Sequence, residues 1–205
     1  MEWVNEYKVY VIVIFYIFLF TTLFSLGAFV RLASGEGLFG RFGYEQIPPR
    51  LRWMPIVATV ASFFMVAYSF MYIVYPDIQN YYLPVTALQN ARISLFGMVL
   101  TVIGSVVFVA SQLQLGRSYR LNQPTGRTSL VTTGLYSVSR NPLYMGLYTA
   151  LFGVFLMLPN WLFLASLIFF IINYHFKIVV LEEPALEEMF GDSYREYCRR
   201  VNRYF

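Results

Sequence analysis

Long apolar stretches alternate with short polar segments along the whole chain. The apolar runs cover approximately residues 9–30, 54–75, 93–115, 142–158 and 161–181. Most approach the ~20 residues that a helix needs to cross hydrocarbon, where a helix satisfies its own backbone hydrogen bonds. The pattern predicts an all-α integral membrane protein with about five transmembrane helices.

The fourth and fifth runs are separated by a turn signal. The fourth run is the shortest, and at ~1.5 Å per residue it covers roughly 25 Å as a helix. Pro159 and Asn160 follow it directly and are typical turn residues. The two runs therefore predict a tight antiparallel helical hairpin.

Small residues mark one face of the third run. They recur at helical spacing as Ser94, Gly97, Thr101, Gly104 and Ser105. Small side chains let membrane helices approach closely, so this face predicts a helix–helix contact and not a ligand site.

Residues 184–203 form an amphipathic tail. Its apolar positions recur at three- and four-residue spacing as Leu186, Phe190, Tyr194, Tyr197 and Val201. Gly191 breaks the pattern, and Ser193 with Glu196 reads as a capping box that starts a second piece. We expect two cytosolic tail helices on the membrane interface or over the hairpin.

The chain is expected to form one structural domain with two functionally different halves. Residues 1–92 hold two spans and a cytosolic connector, a membrane scaffold with little chemistry. Residues 93–205 hold the third span, a long polar loop at 117–141, the hairpin and the tail. Loops of that length are usually functional or disordered, so the second half is the candidate catalytic half.

Composition supports the membrane assignment, and the charge pattern gives an orientation. Hydrophobic residues make up 58% of the chain and charged residues 13%. The net charge of +4 is explained by basic residues in loops, so nucleic acid is not an expected partner. With the N-terminus outside, thirteen of the fifteen basic residues are cytosolic, as the positive-inside rule requires. Only Lys8 and Arg92 remain outside.

One cysteine and one histidine limit the possible chemistry. The lone Cys198 excludes an intramolecular disulfide and a cysteine-rich metal site, so no metal is expected. The lone histidine, His175, lies with Lys177 in the last turns of the fifth run. A structural role for His175 competes there with a catalytic one.

Arg140, Asn141 and Pro142 have the pattern of a helix start. Asn is a favoured N-cap residue, and Pro fits the first helical position because its missing N–H has no partner there anyway. Free N–H groups beside an arginine favour an anion such as a carboxylate. Tyr136 and Tyr144 flank this start with flat aromatic faces. We interpret it as one wall of a cofactor pocket at the cytosolic membrane surface.

An acidic pair, Glu182 and Glu183, directly follows the fifth run. Adjacent residues on a helix point about 100° apart, so the two carboxylates are expected to have different partners. Glu182 lies seven residues after His175 and is expected on the same helix face.

Several short motifs follow one another along the second half of the chain. They are LGxSY at 115–119, SLVxxGLY at 129–136, RNPxYxG at 140–146, EE at 182–183, FGxxYxxY at 190–197 and RV at 200–201. Their order and spacing resemble the isoprenylcysteine carboxyl methyltransferase and phospholipid methyltransferase superfamily, over roughly residues 95–205. The resemblance implies that the C-terminal half binds S-adenosylmethionine and releases S-adenosylhomocysteine, with a lipid substrate entering from the bilayer. Many family members have Arg-His-Pro where this chain has Arg140-Asn141-Pro142, which removes a possible general base.

The resemblance also implies roles for individual residues. The cofactor-binding candidates are Leu130, Val131, Gly134, Tyr136, Arg140, Asn141, Pro142, Tyr144 and Glu183. The catalytic candidates are Arg140, Asn141, His175 and Glu182. Of the acidic pair, we expect Glu183 to approach the cofactor more closely. Glu182 then lies nearer the acceptor or braces Arg140.

The sequence is also compatible with two other functions. Membrane sterol-type reductases have a related helical architecture but use a nicotinamide cofactor, and a non-enzymatic membrane scaffold would bind no nucleotide-like ligand. The acceptor is also open: a prenylcysteine-like carboxylate, a phospholipid amine, a thiol or an isoprenoid. The oligomeric state is not indicated by the sequence.

Overall fold

A computed structural model of the chain describes residues 2–34, 48–115 and 129–204. These residues form helices α1 to α8, short 3₁₀ turns and an isolated bridge between Pro84 and Asn160. The α-helices are α1 Glu2–Ser34, α2 Met54–Val74, α3 Ile78–Tyr81, α4 Ala91–Leu115, α5 Pro142–Met157, α6 Trp161–Lys177, α7 Glu183–Phe190 and α8 Asp192–Arg200. Within the described residues the fold is all-α, as predicted.

Three helical stretches in the described part are long and apolar enough to cross a membrane. They are Pro49–Val74, Ala91–Leu115 and Trp161–Phe190. The fourth predicted span is a shorter apolar helix, Pro142–Met157. The membrane character of the chain is thus confirmed, and the count of about five spans stays a prediction.

Helices α4 and α5 pack very closely through glycines. A Cβ atom added at Gly146 would lie 2.5 Å from the Phe108 backbone nitrogen and 2.8 Å from the Gly104 carbonyl. One added at Gly97 would lie 2.6 Å from the Gly153 carbonyl. The predicted small-residue face of the third run is therefore a contact surface, and its partner is α5.

The two helices of the predicted hairpin pack on different neighbours. Helix α5 lies mainly against α4, whereas α6 lies mainly against α2. At their connection Asn160 is buried, and its side chain accepts hydrogen bonds from the backbone N–H groups of Leu162 (2.9 Å) and Phe163 (3.0 Å). Asn160 also donates to the Tyr82 carbonyl. This cap fixes where α6 begins.

The end of α6 and the tail deviate from a regular helix. Residues Ile178–Glu182 form a π-helical turn, after which α7 continues to Phe190. Gly191 breaks the tail as predicted, with φ at +54°, where a side chain would be strained. The predicted capping box is wrong, because α8 already begins at Asp192 and has no side-chain cap.

The C-terminal residues fold back onto the start of α5. The Arg140 backbone N–H donates to the Asn202 carbonyl (2.9 Å), and the Ser139 hydroxyl donates to the Arg203 carbonyl (3.1 Å). Residues 35–47 of the predicted connector at 31–53 and residues 117–128 of the long polar loop lie outside the described residues.

Candidate functional site

A cavity lies where the polar loop, the start of α5, the π-helical turn and the tail meet. It is lined by Leu115, Ser129, Leu130, Val131, Tyr136, Arg140, Asn141, Ile178, Glu182, Glu183, Leu186, Phe190, Tyr194 and Tyr197. Seven of the predicted site residues are in this set. The four that are not in it are Gly134, Pro142, Tyr144 and His175.

Arg140 is the central cation of the cavity. Its side chain is 12% exposed, and its Nη1 lies 3.0 Å from Glu183 Oε1. The same nitrogen donates to the Cys198 sulfur (2.7 Å) and to the Tyr194 hydroxyl (3.4 Å). Its Nε is buried without an acceptor among the described residues. A buried N–H without a partner is costly, so this atom is suited to an anionic ligand.

Glu183 is held by two arginines. Arg203 approaches it with two nitrogens, Nε at 2.8 Å from Oε1 and Nη2 at 2.8 Å from Oε2. Arg140 shares Oε1. The hydrogen bond to Glu183 raises the pKa of Arg203. The suggestion that Glu182 braces Arg140 is therefore wrong, because Glu183 has that position.

Glu182 joins the cavity to a cluster of aromatic residues between α5 and α6. The Tyr144 hydroxyl donates to Glu182 Oε1 (2.5 Å), and Lys177 Nζ lies 3.2 Å from the same oxygen. The Tyr144 ring packs against Tyr148 and Tyr174, with centroids 6.2 and 5.4 Å away. Tyr144 is thus a neighbour of Glu182 and does not line the cavity, in contrast to its predicted role as a cofactor wall.

Asn141 and Pro142 start α5 as predicted. Asn141 occupies the N-cap position, and Pro142 lies in the first turn, buried. The Asn141 side chain, however, makes no capping hydrogen bond. Its amide nitrogen donates instead to the Arg203 carbonyl (3.2 Å), which ties the helix start to the C-terminus.

Gly134 and Tyr136 shape the loop wall of the cavity. Gly134 has φ at +60°, and an added Cβ would meet the Gln114 side chain at 2.7 Å. Gln114 accepts from the backbone N–H of Leu135 (2.9 Å). Gly134 therefore acts through the turn and not by lining the cavity. Tyr136 is buried and lines it, as predicted.

His175 lies away from the cavity lining. Its Nδ1 is 2.9 Å from the Tyr204 hydroxyl, and the two rings are 5.8 Å apart. The prediction that His175 and Glu182 share a helix face assumed a regular helix, but the π-helical turn widens the spiral between them. The two side chains have different partners in the structure.

The tail contributes residues that sequence reasoning did not assign to the site. Tyr194 and Tyr197 are buried, and both line the cavity. The Tyr197 hydroxyl donates to the Tyr136 carbonyl (2.6 Å). Burial raises the pKa of Tyr197 to about 12 and also raises the pKa of Tyr194, so both phenols are neutral at ordinary pH. The spacing of Tyr194 and Tyr197 on one face of the amphipathic tail was the sequence signal that could have identified them.

Comparisons with known proteins match the region of the chain that contains most of these residues. A family model described as phospholipid methyltransferase matches residues 93–193, which contain most of the cavity. A probable protein-S-isoprenylcysteine O-methyltransferase of Oryza sativa subsp. indica is 26% identical over 145 residues, covering 69% of this chain and 71% of the rice protein.

Two fungal proteins are also similar. The protein-S-isoprenylcysteine O-methyltransferase of Schizosaccharomyces pombe is 30% identical over 104 residues, covering 48% of this chain and 43% of that protein. The protein of the same name from Saccharomyces cerevisiae is 30% identical over 118 residues, covering 56% and 49%. By these matches the C-terminal half of the chain is similar to the phospholipid and protein-S-isoprenylcysteine methyltransferases, which supports a methyltransferase enzyme.

Proposed function

We propose that the protein transfers a methyl group from S-adenosylmethionine to a lipid-linked acceptor at the cytosolic membrane face. The observation that carries the proposal is the buried Arg140, with an unpartnered Nε, in a cavity inside the region that matches the family. A nicotinamide-dependent reductase is not favoured, because the related proteins are named methyltransferases.

The cavity fits the polar end of this cofactor. The Arg140 Nε–H suits the cofactor's carboxylate. Glu183 Oε2, which accepts from Arg203 alone among the described residues, retains a lone pair for the cofactor's ammonium group. Tyr136, Leu130 and Val131 supply an aromatic and apolar wall suited to the adenine. The cavity measures about 100 Å³, which is small for a whole nucleoside cofactor. A nucleoside ligand would therefore extend through the open side of the cavity or displace one of its walls.

The protein's own contribution to methyl transfer is mainly positioning. The bound cofactor supplies an electrophilic methyl group, and the acceptor must be held in line with it. Asn141 cannot accept a proton near neutral pH, and its amide is engaged with the Arg203 carbonyl. Because a carboxylate nucleophile needs no base, this site favours a prenylcysteine-like carboxylate over an amine or a thiol.

The membrane arrangement of the proposal has five spans, the N-terminus outside and the C-terminus inside. Helix α1 and the short helix α5 are the two further spans beyond the three long apolar ones. The excess of basic residues in the loops supports this orientation. The cavity, which is formed by the start of α5 and the end of α6, then faces the cytosol.

A methyl-transfer assay tests the function directly. Purified protein in detergent or vesicles is incubated with S-adenosylmethionine carrying a labelled methyl group, and the acceptors are an N-acetyl-S-farnesylcysteine and phosphatidylethanolamine in parallel. We expect label in the farnesylcysteine ester. Transfer only to phosphatidylethanolamine would overturn the carboxylate acceptor. Binding of NADPH without binding of S-adenosylhomocysteine would overturn the function itself.

Fusion reporters test the orientation. A reporter after Phe205 should be cytosolic and one before Met1 should be external. A C-terminal reporter outside the cell would overturn both the topology and the cytosolic location of the cavity.

A further inference from the structure

Glu183, which lines the cavity, forms a bidentate ion pair with Arg203. Both guanidinium–carboxylate distances are 2.8 Å, and the Glu183 side chain is 17% exposed. Bidentate pairs of this kind fix the orientation of both groups. Arg203 itself is one-third exposed and is not among the residues that line the cavity.

The position of Arg203 is fixed by its backbone as well as by its side chain. Its carbonyl accepts from the Ser139 hydroxyl (3.1 Å) and from the Asn141 amide (3.2 Å). The preceding carbonyl, that of Asn202, accepts from the Arg140 N–H (2.9 Å). Arg203 therefore reaches Glu183 from a backbone that is anchored to the start of α5.

This geometry determines how much of the positive charge of Arg140 remains available to bind an anionic ligand. Glu183 uses both oxygens for Arg203 and shares only Oε1 with Arg140, which reaches it through Nη1 alone. Two guanidinium groups face one carboxylate, so this cluster has a net charge of +1. Without Arg203, Glu183 could turn both oxygens to Arg140 and neutralise it.

We propose that Arg203 is a positioning residue that occupies Glu183 and so keeps Arg140 free to bind the carboxylate of the cofactor. This role rests on the proposed function, since it concerns the same cofactor. Arg203 acts through Glu183 and Arg140 and does not touch the reacting atoms. The role predicts that Arg203 affects ligands with a carboxylate more than ligands without one.

The test measures two dissociation constants for each variant, by calorimetry on the purified full chain. One ligand is S-adenosylhomocysteine, and the other is its analogue without the carboxylate. For Arg203→Gln we expect the affinity for S-adenosylhomocysteine to fall about tenfold or more. We expect the affinity for the decarboxylated analogue to change little. Arg203→Lys, which keeps the charge, should restore part of the difference.

A double variant shows whether Arg203 acts through Glu183. In a Glu183→Gln background, Arg203→Gln should cause a much smaller further loss, since the two effects are coupled. The matched control is Arg200→Gln, because Arg200 is 65% exposed and, among the described residues, its ion pair is with Glu196 in its own helix. It should leave both constants unchanged.

The outcomes distinguish the positioning role of Arg203 from the proposed methyl-transfer function. If the wild type fails to bind S-adenosylhomocysteine, the proposed function and this role are both overturned. If the wild type binds and Arg203→Gln lowers both affinities equally, or lowers neither, the positioning role is wrong and the function stands. Folding of each variant is checked by its thermal unfolding, and Arg203→Lys gives a second test if Arg203→Gln is unstable.

Discussion

Replacing Arg140 by Ala should lower the affinity for the cofactor more than it lowers the stability of the fold. Arg140 is 12% exposed, and its guanidinium group contacts Glu183, Cys198 and Tyr194. Removing one partner of a buried ion pair usually costs about 3–5 kcal/mol, because the other charge remains uncompensated. Here Glu183 keeps its bidentate pair with Arg203. We therefore expect the free energy of unfolding to fall by only about 1–2 kcal/mol, the cost of the lost hydrogen bonds.

The loss of affinity should be larger than the loss of stability. A charge-assisted hydrogen bond from Arg140 to a ligand carboxylate contributes roughly 1.5–3 kcal/mol. This corresponds to a dissociation constant for S-adenosylhomocysteine that rises roughly 10- to 150-fold. Arg140→Lys should lie between the wild type and Arg140→Ala, because it keeps the charge but not the forked geometry.

Calorimetric titration with S-adenosylhomocysteine measures the affinity, and thermal unfolding in the same detergent measures the stability. Arg195→Ala is a suitable control, since Arg195 is 52% exposed and pairs only loosely with Glu187 and Asp192. Exposed pairs of this kind contribute about 0–1 kcal/mol. An Arg140→Ala protein that folds and binds with unchanged affinity would refute the placement of the cofactor carboxylate.

Other predictions concern helix packing and the tail. Gly146→Ala should lower the free energy of unfolding by about 1–3 kcal/mol through overpacking against Phe108, measured by thermal unfolding, and a wild-type stability would contradict the tight α4–α5 contact. Tyr197→Phe should cost about 1–3 kcal/mol, because it leaves the Tyr136 carbonyl without its donor, and an unchanged unfolding temperature would show that water replaces the bond. Since the pKa of Tyr197 is raised to about 12 in the folded protein, its contribution is complete below pH ~10 and is lost as pH rises towards 12. The fall in unfolding temperature over that range should be smaller in Tyr197→Phe.

Local sequence patterns predicted the helix start at the cavity but not all of its contacts. Proline in the first turn placed the beginning of α5 correctly at Pro142. Asn141 was expected to cap the helix, and its amide instead binds a carbonyl some sixty positions later in the chain. A backbone acceptor has no sequence signature, so no local pattern could have indicated this contact. The same holds for the backbone contacts of Asn202.

Two predictions near α6 depended on local geometry that the sequence does not indicate. Faces were assigned with the period of a regular helix, which places His175 and Glu182 together. The π-helical turn changes that period, and the composition of residues 178–182 does not indicate such a turn. Tyr144 was expected to line the cavity because it is close to Arg140 in sequence. Tyr144 lies in the first turn of α5, where its side chain contacts Tyr174 and Glu182 instead.

Labelling of Cys198 can report whether a ligand occupies the cavity. It is the only cysteine in the chain, it is partly exposed, and its sulfur lies 2.7 Å from Arg140 Nη1. A maleimide or a fluorinated thiol reagent would therefore label one atom, beside the guanidinium group that we expect to bind the cofactor. Slower labelling in the presence of S-adenosylhomocysteine would record occupancy of the cavity in native membranes, without introducing any new residue.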